Sequence, residues 1–178
     1  QNSRGLMKLD MENVPIRSLD WTAGMDQLHF VKMHGTNMRS MDFLKNLGVD
    51  AMELHFSGDF SDYSGLAAIP YYSYMHLNPK NQNLGAVLPY IVNATFSRLK
   101  LYDCNGIDFA TLPQNINVLQ ITGGNLSSLE GISVLPKMNT LHLENINRLS
   151  SLAGLAECQE LTRITIQNCI RLTAYDAL

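Results

Sequence analysis

Three six-residue stretches share one apolar pattern: INVLQI at 116–121, MNTLHL at 138–143 and LTRITI at 161–166. Each has apolar residues at its first, fourth and sixth positions. The last two of these alternate with a polar residue, which is the period-two pattern of a short strand with one buried face. Because the stretches recur about every 22 residues, they predict a repeat that buries its apolar side by stacking on its neighbours.

The same three-anchor template fits the chain eight times, with third anchors 20 to 24 residues apart. The repeats start near residues 6, 28, 49, 72, 96, 116, 138 and 161. In the third repeat we assign the anchors as Val49, Met52 and Leu54. Roughly ten residues per repeat remain for the return path, which allows tight turns, 3₁₀ segments or at most two helical turns. The sequence therefore predicts one curved α/β-type solenoid over residues 1–178, with a parallel β-sheet on its concave face and short 3₁₀, helical or irregular segments on its convex face.

The rhythm is weakest between Phe60 and Ala94, where three prolines and the run Tyr71-Tyr72-Ser73-Tyr74 interrupt it. A degenerate repeat with a longer convex loop explains this stretch, and a domain boundary is the alternative. No Gly/Ser-rich or charged linker marks a second domain, so we expect a single domain.

Composition narrows the classes of partner. The chain has 178 residues, of which 46% are hydrophobic and 16% charged, with a net charge of -3 and a pI of about 5.9. This is enough for a continuous core, but a mildly acidic chain lacks the basic face that nucleic acid requires. The apolar runs are too short for membrane insertion. Three cysteines cannot all pair; read as reduced thiols they favour the cytoplasm, with secretion or delivery to a host cell as alternatives.

The pattern resembles the leucine-rich repeat family from Leu6 to Leu172. Residues 6–28 and 126–135 resemble the bacterial internalin-like class. Residues 112–116, LPQNI, followed by Leu119 and Ile121, resemble the Leu-Pro repeats of bacterial effector ligases. Residues 155–158, LAEC, together with Cys169, resemble the cysteine-containing class. The resemblance implies a mixed repeat and a surface that binds proteins.

Repeats of this family carry an asparagine ladder in the turn after the strand. Three residues beyond the last anchor this chain has no asparagine. Asparagines occur one position later, at Asn37, Asn81, Asn105, Asn125 and Asn147. Either the turn is displaced by one residue, or it uses another hydrogen-bond scheme.

The outward positions of the predicted strands form the candidate binding surface. Phe30, Tyr74 and Tyr102, with Phe56 just beyond its strand, are aromatic anchors of the kind that contribute most at interfaces, and charges of both signs surround them. The predicted partner-binding residues are Phe30, Lys32, His34, Glu53, His55, Tyr74, His76, Arg98, Lys100, Tyr102 and His142. We place the centre of this surface between the second and fifth repeats.

The sequence gives little support for catalysis or for metal or cofactor binding. Phosphate-loop, dinucleotide, nucleophile-elbow and zinc-finger motifs do not occur in the sequence. His34, His55 and His76 with Glu53 offer zinc-type ligands, but without a tight local spacing, so we expect interface hydrogen bonding instead. Cys104, Cys158 and Cys169 have no base nearby in the repeat and are expected to be structural. The prediction is a protein with no catalytic, metal or cofactor site.

Three functions remain in order of preference. The first is a non-catalytic protein–protein interaction module that binds its partner on the concave face. The second is a bacterial immunity or inhibitor protein that neutralises a cognate toxin or enzyme by covering it. The third is the substrate-recognition part of an effector ubiquitin ligase. Because neither terminal repeat carries a polar cap in the sequence, we also expect either a longer parent chain or end-to-end self-association.

Overall fold

Eight parallel strands form one open sheet in the part of the chain that the structure describes. The structure is a computed structural model, and it describes residues 5–58, 60–78 and 84–174. The strands follow one another in chain order, from β1 at one edge to β8 at the other. Their bounds are β1 Lys8–Glu12, β2 Phe30–His34, β3 Ala51–Ser57, β4 Tyr71–Asn78, β5 Thr95–Tyr102, β6 Asn115–Thr122, β7 Thr140–Glu144 and β8 Arg163–Gln167. The predicted solenoid of about eight repeats is confirmed.

Short helical turns return the chain from each strand to the next. The described residues contain seven 3₁₀ turns and one four-residue α-helix, α1, at Leu88–Ile91. The 3₁₀ turns are Asp20–Thr22, Asp42–Asn46, Ser64–Ala68, Leu84–Ala86, Phe109–Thr111, Ile132–Val134 and Leu155–Glu157. Pro89 lies in the first turn of α1, where its missing N–H costs no helical hydrogen bond. These lengths match the ten or so residues that the repeat leaves for its return path.

The inward side chains of the strands build one continuous apolar core. In the middle of the sheet the anchors are sealed from solvent; Met75, Leu99 and Leu119, for example, all have 0% exposure. On β8 the equivalent residues, Ile164 and Ile166, are only half-buried, because no further strand covers them within the described residues. Stacking on both sides is therefore what buries a repeat of this size.

The register of the third repeat differs from our assignment by two residues. Val31 pairs with Leu54 and Met33 pairs with Phe56, so the last two anchors are Leu54 and Phe56, not Met52 and Leu54. Met52, Leu54 and Phe56 alternate with polar residues, and a shift of two leaves a period-two pattern unchanged. Phe56 consequently lies in the core at 2% exposure, and its prediction as an exposed aromatic anchor is wrong.

Most of the described turns after a strand use a residue with left-handed backbone two positions beyond the last anchor, and Gly58 after β3 is an exception. Six turns follow this rule with positive φ, at Asn13, Gly35, Asp103, Gly123, Asn145 and Asn168. Gly, Asn and Asp tolerate this conformation better than other residues. The N–H of Asn13 donates to the His34 carbonyl oxygen at 2.8 Å, and that of Asn145 to the Gln167 carbonyl oxygen at 3.0 Å, so successive turns are linked.

The asparagines that we expected in the turn do not occupy this position. Asn37, Asn105, Asn125 and Asn147 lie further along the chain and are not among the residues with positive φ, and Asn81 lies outside the described residues. The side chains of Asn145 and Asn168 are instead joined by a hydrogen bond of 3.1 Å. This one contact lies two residues beyond the last anchor, earlier in the turn than the asparagines that the sequence analysis singled out.

The irregular stretch between Phe60 and Ala94 contributes a regular strand. Within it, β4 pairs with β3 on one side and with β5 on the other. A bulge between Met52 and Glu53 adjusts the register with β3. The Tyr72 ring stacks on Phe96 with ring centroids 5.3 Å apart, and its hydroxyl donates to the Leu66 carbonyl oxygen at 2.9 Å. These contacts support a degenerate repeat.

Candidate protein-binding face

The predicted binding residues all lie on strands, and ten of the eleven lie on β2–β5. We call the outward side of these four strands the strand face. Lys32, His55, His76 and Lys100 stand side by side across it in one row. His142 lies apart on β7, where its row neighbours are Gln120 and Thr165. The structure thus groups most of the predicted set and separates one member.

Five rings of the strand face are in mutual contact. The His55 ring lies 5.4 Å from that of Phe30 and 4.7 Å from that of Tyr74, measured between ring centroids. The His76 ring continues the series, 6.0 Å from His55 and 5.8 Å from Tyr102. The tilted and edge-on geometries are those that aromatic pairs prefer. We call Phe30, His55, Tyr74, His76 and Tyr102 the ring cluster.

Cationic side chains cover three of these rings. Lys8 Nζ lies 4.2 Å from the centroid of the Phe30 ring. The guanidinium carbon of Arg98 lies 5.9 Å from Tyr74, and Lys100 Nζ lies 5.7 Å from Tyr102. At these distances the cations interact with the ring faces. Lys8 was not in our predicted set, although its position opposite Phe30 was available from the repeat.

Acidic side chains lie at the edge of the cluster. Glu53 Oε1 forms a hydrogen bond of 2.7 Å with His55 Nε2. Lys32 Nζ lies 3.4 Å from a carboxylate oxygen of Asp10 and 3.6 Å from one of Glu12. Among the described residues of β2–β5, Lys32, Arg98 and Lys100 outnumber the single outward carboxylate of Glu53. By formal charge β2–β5 therefore carry more cations than carboxylates on this face, and the two carboxylates of β1 offset Lys32.

A cavity of about 240 Å³ opens on the strand face where β2–β5 end. Its lining residues are Lys32, Met33, His34, His55, Phe56, Ser57, His76, Asn78 and Tyr102. Ser57 was missed by our sequence analysis, because the misplaced register put His55 beside His34. The structure instead pairs His34 with Ser57 and Lys32 with His55.

Burial sets the protonation of the central histidine. It lowers the pKa of His76 to about 4, and the nearby charges of Lys100, His55 and His34 act in the same direction. Burial also raises the pKa of the Tyr74 phenol. Both groups are therefore neutral at pH 7. For His142, burial lowers the pKa, with Arg98 and Arg163 contributing.

The remaining reactive residues are not part of this arrangement. Within the described residues, no three His, Cys, Asp or Glu side chains are placed to hold a metal ion. Cys104 is buried, and burial raises the pKa of its thiol to about 12. Cys158 and Cys169 are half-buried free thiols. Because burial raises the pKa of the Cys104 thiol, Cys104 is a poor nucleophile near neutral pH.

One short strand per repeat, parallel stacking into an open sheet and 3₁₀ return turns together define a leucine-rich-repeat solenoid. The chain is similar to two solved structures from Listeria monocytogenes, the functional domain of InlJ, which includes a cysteine ladder, and the internalin InlF. The TM-score is 0.51 in both cases, with 16% sequence identity to InlJ and 15% to InlF. The resemblance of this sequence to internalin-like repeats is thus supported at the level of the fold.

The extent of these similarities is unequal. The match to InlJ covers 94% of this chain but 31% of InlJ, and the match to InlF covers 95% of this chain and 66% of InlF. Neither protein-family models nor curated proteins match the sequence. In this chain the two cysteines that follow strands, Cys104 and Cys169, belong to the repeats of β5 and β8, so they do not stack on each other. Within the described residues, no helix is both long and apolar enough to span a membrane.

Proposed function

We propose that this chain is a non-catalytic module that binds another protein through the strand face of β2–β5. The ring cluster is the observation that supports this most directly. Its five rings lie in contact on an outward surface, and three cations cover them. Aromatic residues and arginine are the side chains that dominate binding energy in protein interfaces.

The charge of the strand face indicates the character of the partner. Lys32, Arg98 and Lys100 give the face a positive balance in a chain that is acidic overall. Charge complementarity speeds association and selects partners. We therefore propose a partner surface that combines apolar groups with carboxylates. A toxin covered by an immunity protein is one such partner, and a host or cellular protein is another.

The test compares two pairs of substitutions on the same sheet. Tyr74→Ala with Tyr102→Ala removes two rings of the cluster, whereas Gln120→Ala with Thr140→Ala alters outward residues of β6 and β7. Proteins captured from the source organism by the tagged chain are identified by mass spectrometry, and their affinity for each variant is then measured. We expect the tyrosine pair to weaken binding by roughly 30-fold or more, as truncation of interface hot spots does, and the control pair to bind like the wild type.

Circular dichroism and thermal melting show whether each variant keeps its fold. Both tyrosines are half-buried on the outward side, so the tyrosine pair should melt close to the wild type. Equal capture by both pairs would contradict the proposal, and identification of a toxin as the captured protein would select the immunity function. End-to-end self-association stays a prediction, as does the cytoplasmic location, which three free thiols support.

A further inference from the structure

The cavity at the end of β2–β5 is smaller than a usual small-molecule site. Its volume of about 240 Å³ is below the range of roughly 300–1,000 Å³ that is usual for small-molecule sites. It adjoins the ring cluster, since His55, His76 and Tyr102 belong to both. A group that enters it is therefore also in contact with the proposed binding face.

Several of the lining side chains can donate hydrogen bonds. Lys32 contributes an ammonium, Ser57 and Tyr102 contribute hydroxyls, and three histidines contribute imidazoles. No carboxylate lies among the described lining residues. Lys32 pairs with Asp10 and Glu12 at 3.4 and 3.6 Å, and such partly exposed pairs contribute little stability.

Two polar atoms below this cavity lack partners. Among the described atoms, Ser57 Oγ and His76 Nε2 are buried without a hydrogen bond, and Ser57 as a whole is 5% exposed. Burying an unpaired polar atom is costly, so the unbound state leaves hydrogen-bonding capacity that a ligand satisfies. Because both atoms are covered, the ligand reaches them after a side-chain rotation in the lining, a change that is common at interfaces.

We propose that this cavity receives one carboxylate side chain, an aspartate or glutamate, from the protein partner. The inference rests on the proposed function and adds the chemical identity of a contact. Lys32, the formal cation of the lining, is shared with Asp10 and Glu12, so the hydrogen-bond donors of the lining and the unpaired Ser57 hydroxyl, and not net charge, favour this group. A phosphate group carries nearly two charges and is usually held by an arginine fork, but Arg98 is not among the lining residues.

Small anions test the site without the partner. Histidine NMR signals of the whole chain are followed at pH 7 during titration with sodium acetate, with sodium chloride as the control for ionic strength and inorganic phosphate as the competing chemistry. We expect acetate to shift the His76 signals in a saturable way, while His29 and His142 follow the chloride control. Saturation by phosphate but not by acetate, or no saturation by either anion, would overturn the proposal.

Two hydroxyl variants assign the contact. Ser57→Ala removes the unpaired hydroxyl, and Thr122→Ala removes an equally buried one on β6, since both residues are 5% exposed. Ser57→Ala should weaken acetate binding roughly threefold or more, the usual effect of losing one hydrogen bond, whereas Thr122→Ala should leave it unchanged. Equal acetate affinity in the wild type and Ser57→Ala would overturn the site.

Binding measurements with the captured partner distinguish failure of the carboxylate contact from failure of the proposed binding face. Partner binding that falls with Tyr74→Ala and Tyr102→Ala but not with Ser57→Ala would leave the binding face in place and reject the carboxylate contact. Acetate binding at His76 that needs Ser57, combined with partner binding that ignores both tyrosines, would reject the face and keep an anion site. A decrease in both measurements with Ser57→Ala is the expected result.

Discussion

The repeats before residue 115 and the repeats after it form one sheet but fill it with different side chains. Every buried aromatic residue in the described core belongs to the first part: Phe43, Phe56, Phe60, Tyr63, Tyr72, Phe96 and Phe109. Residues 115–174 contain no Phe, Tyr or Trp, and their core consists mainly of leucine and isoleucine. We call residues 5–114 the aromatic part and residues 115–174 the aliphatic part.

The comparison shows where the repeat tolerates variation. In the aromatic part, β3 and β4 are joined across a bulge at Met52 and Glu53, and the buried rings of Phe56, Phe60 and Tyr63 pack against one another. The described pairs from β5 to β8 show no register shift. The ring cluster also lies in the aromatic part. Irregular packing and the proposed binding face therefore coincide, whereas the aliphatic part provides a regular continuation of the sheet.

The largest expected effect is on the aromatic core. Phe96→Ala removes a side chain with 0% exposure and its stack on Tyr72, so it should lower the free energy of unfolding by about 3–5 kcal/mol. Ile164→Ala in β8 removes a half-buried side chain and should cost about 1–2 kcal/mol, because less apolar area is lost. Urea unfolding followed by circular dichroism measures both losses.

The only tryptophan sharpens this test. Trp21 lies in the first 3₁₀ turn and is 50% exposed, so its fluorescence reports on the aromatic part while circular dichroism reports on the whole chain. If Phe96→Ala separates the two transitions, the parts unfold independently, as stacked repeats sometimes do. Equal losses for Phe96→Ala and Ile164→Ala would show that the two parts are packed alike.

The second largest expected effect is the loss of stability when a glycine of the aliphatic part is replaced by alanine, and it tests how closely the backbones of neighbouring repeats approach there. Gly131 and Gly154 each precede a 3₁₀ turn with positive φ. A Cβ at Gly131 would meet no atom within 4 Å, whereas one at Gly154 would lie 2.4 Å from the Leu129 carbonyl oxygen. Gly131→Ala should therefore cost about 1 kcal/mol for the left-handed backbone alone, and Gly154→Ala about 1–3 kcal/mol more for the clash.

Thermal melting of the two alanine variants checks this difference, with identical circular dichroism at low temperature as evidence of a retained fold. A Gly131→Ala variant as unstable as Gly154→Ala would mean that backbone conformation, and not close approach of the repeats, sets the cost. Comparing the stabilities of the two variants would then give no information on how tightly the repeats of the aliphatic part are stacked.

The sequence predicted the strands well because their anchors must be apolar every second residue. It could not fix how one strand aligns with the next where apolar residues alternate for longer than the template, as from Met52 to Phe56. Because of this ambiguity, the sequence analysis placed His55 in the wrong row of the sheet and did not include Ser57 in the binding surface. The left-handed turn position at Asn13 and Asn145 was missed for a related reason, since it was sought by analogy with the family ladder and not by the backbone conformation.

The candidate site was predicted only as a set of outward residues. Phe30, Tyr74 and Tyr102 follow from the period-two pattern, which defines which side of the sheet a residue faces. Contacts between rings on neighbouring strands depend on the register, and the cavity depends on side-chain packing at the strand ends. Neither is encoded in the spacing of one sequence, so the cluster and its unpaired atoms became visible only in the structure.

The smallest expected effect is on stability at low pH, and it is tested by comparing His76 of the aromatic part with His142 of the aliphatic part. Burial lowers the pKa of His76 from 6.5 to about 4 in the folded chain, so between these values the unfolded chain binds more protons and stability falls as the pH falls. Because the ring is only half-buried, we expect this protonation to lower the free energy of unfolding by about 1–2 kcal/mol between pH 7 and pH 4.

The His76→Gln variant should lack this contribution to the loss of stability in acid. His142→Gln should change it less, because the His142 ring is more exposed than that of His76. Urea unfolding of the three proteins at both pH values gives the differences, in which the shared titration of carboxylates cancels. If the wild type and His76→Gln lose equal stability, the His76 ring is solvated in the folded chain and does not form a buried floor of the cavity.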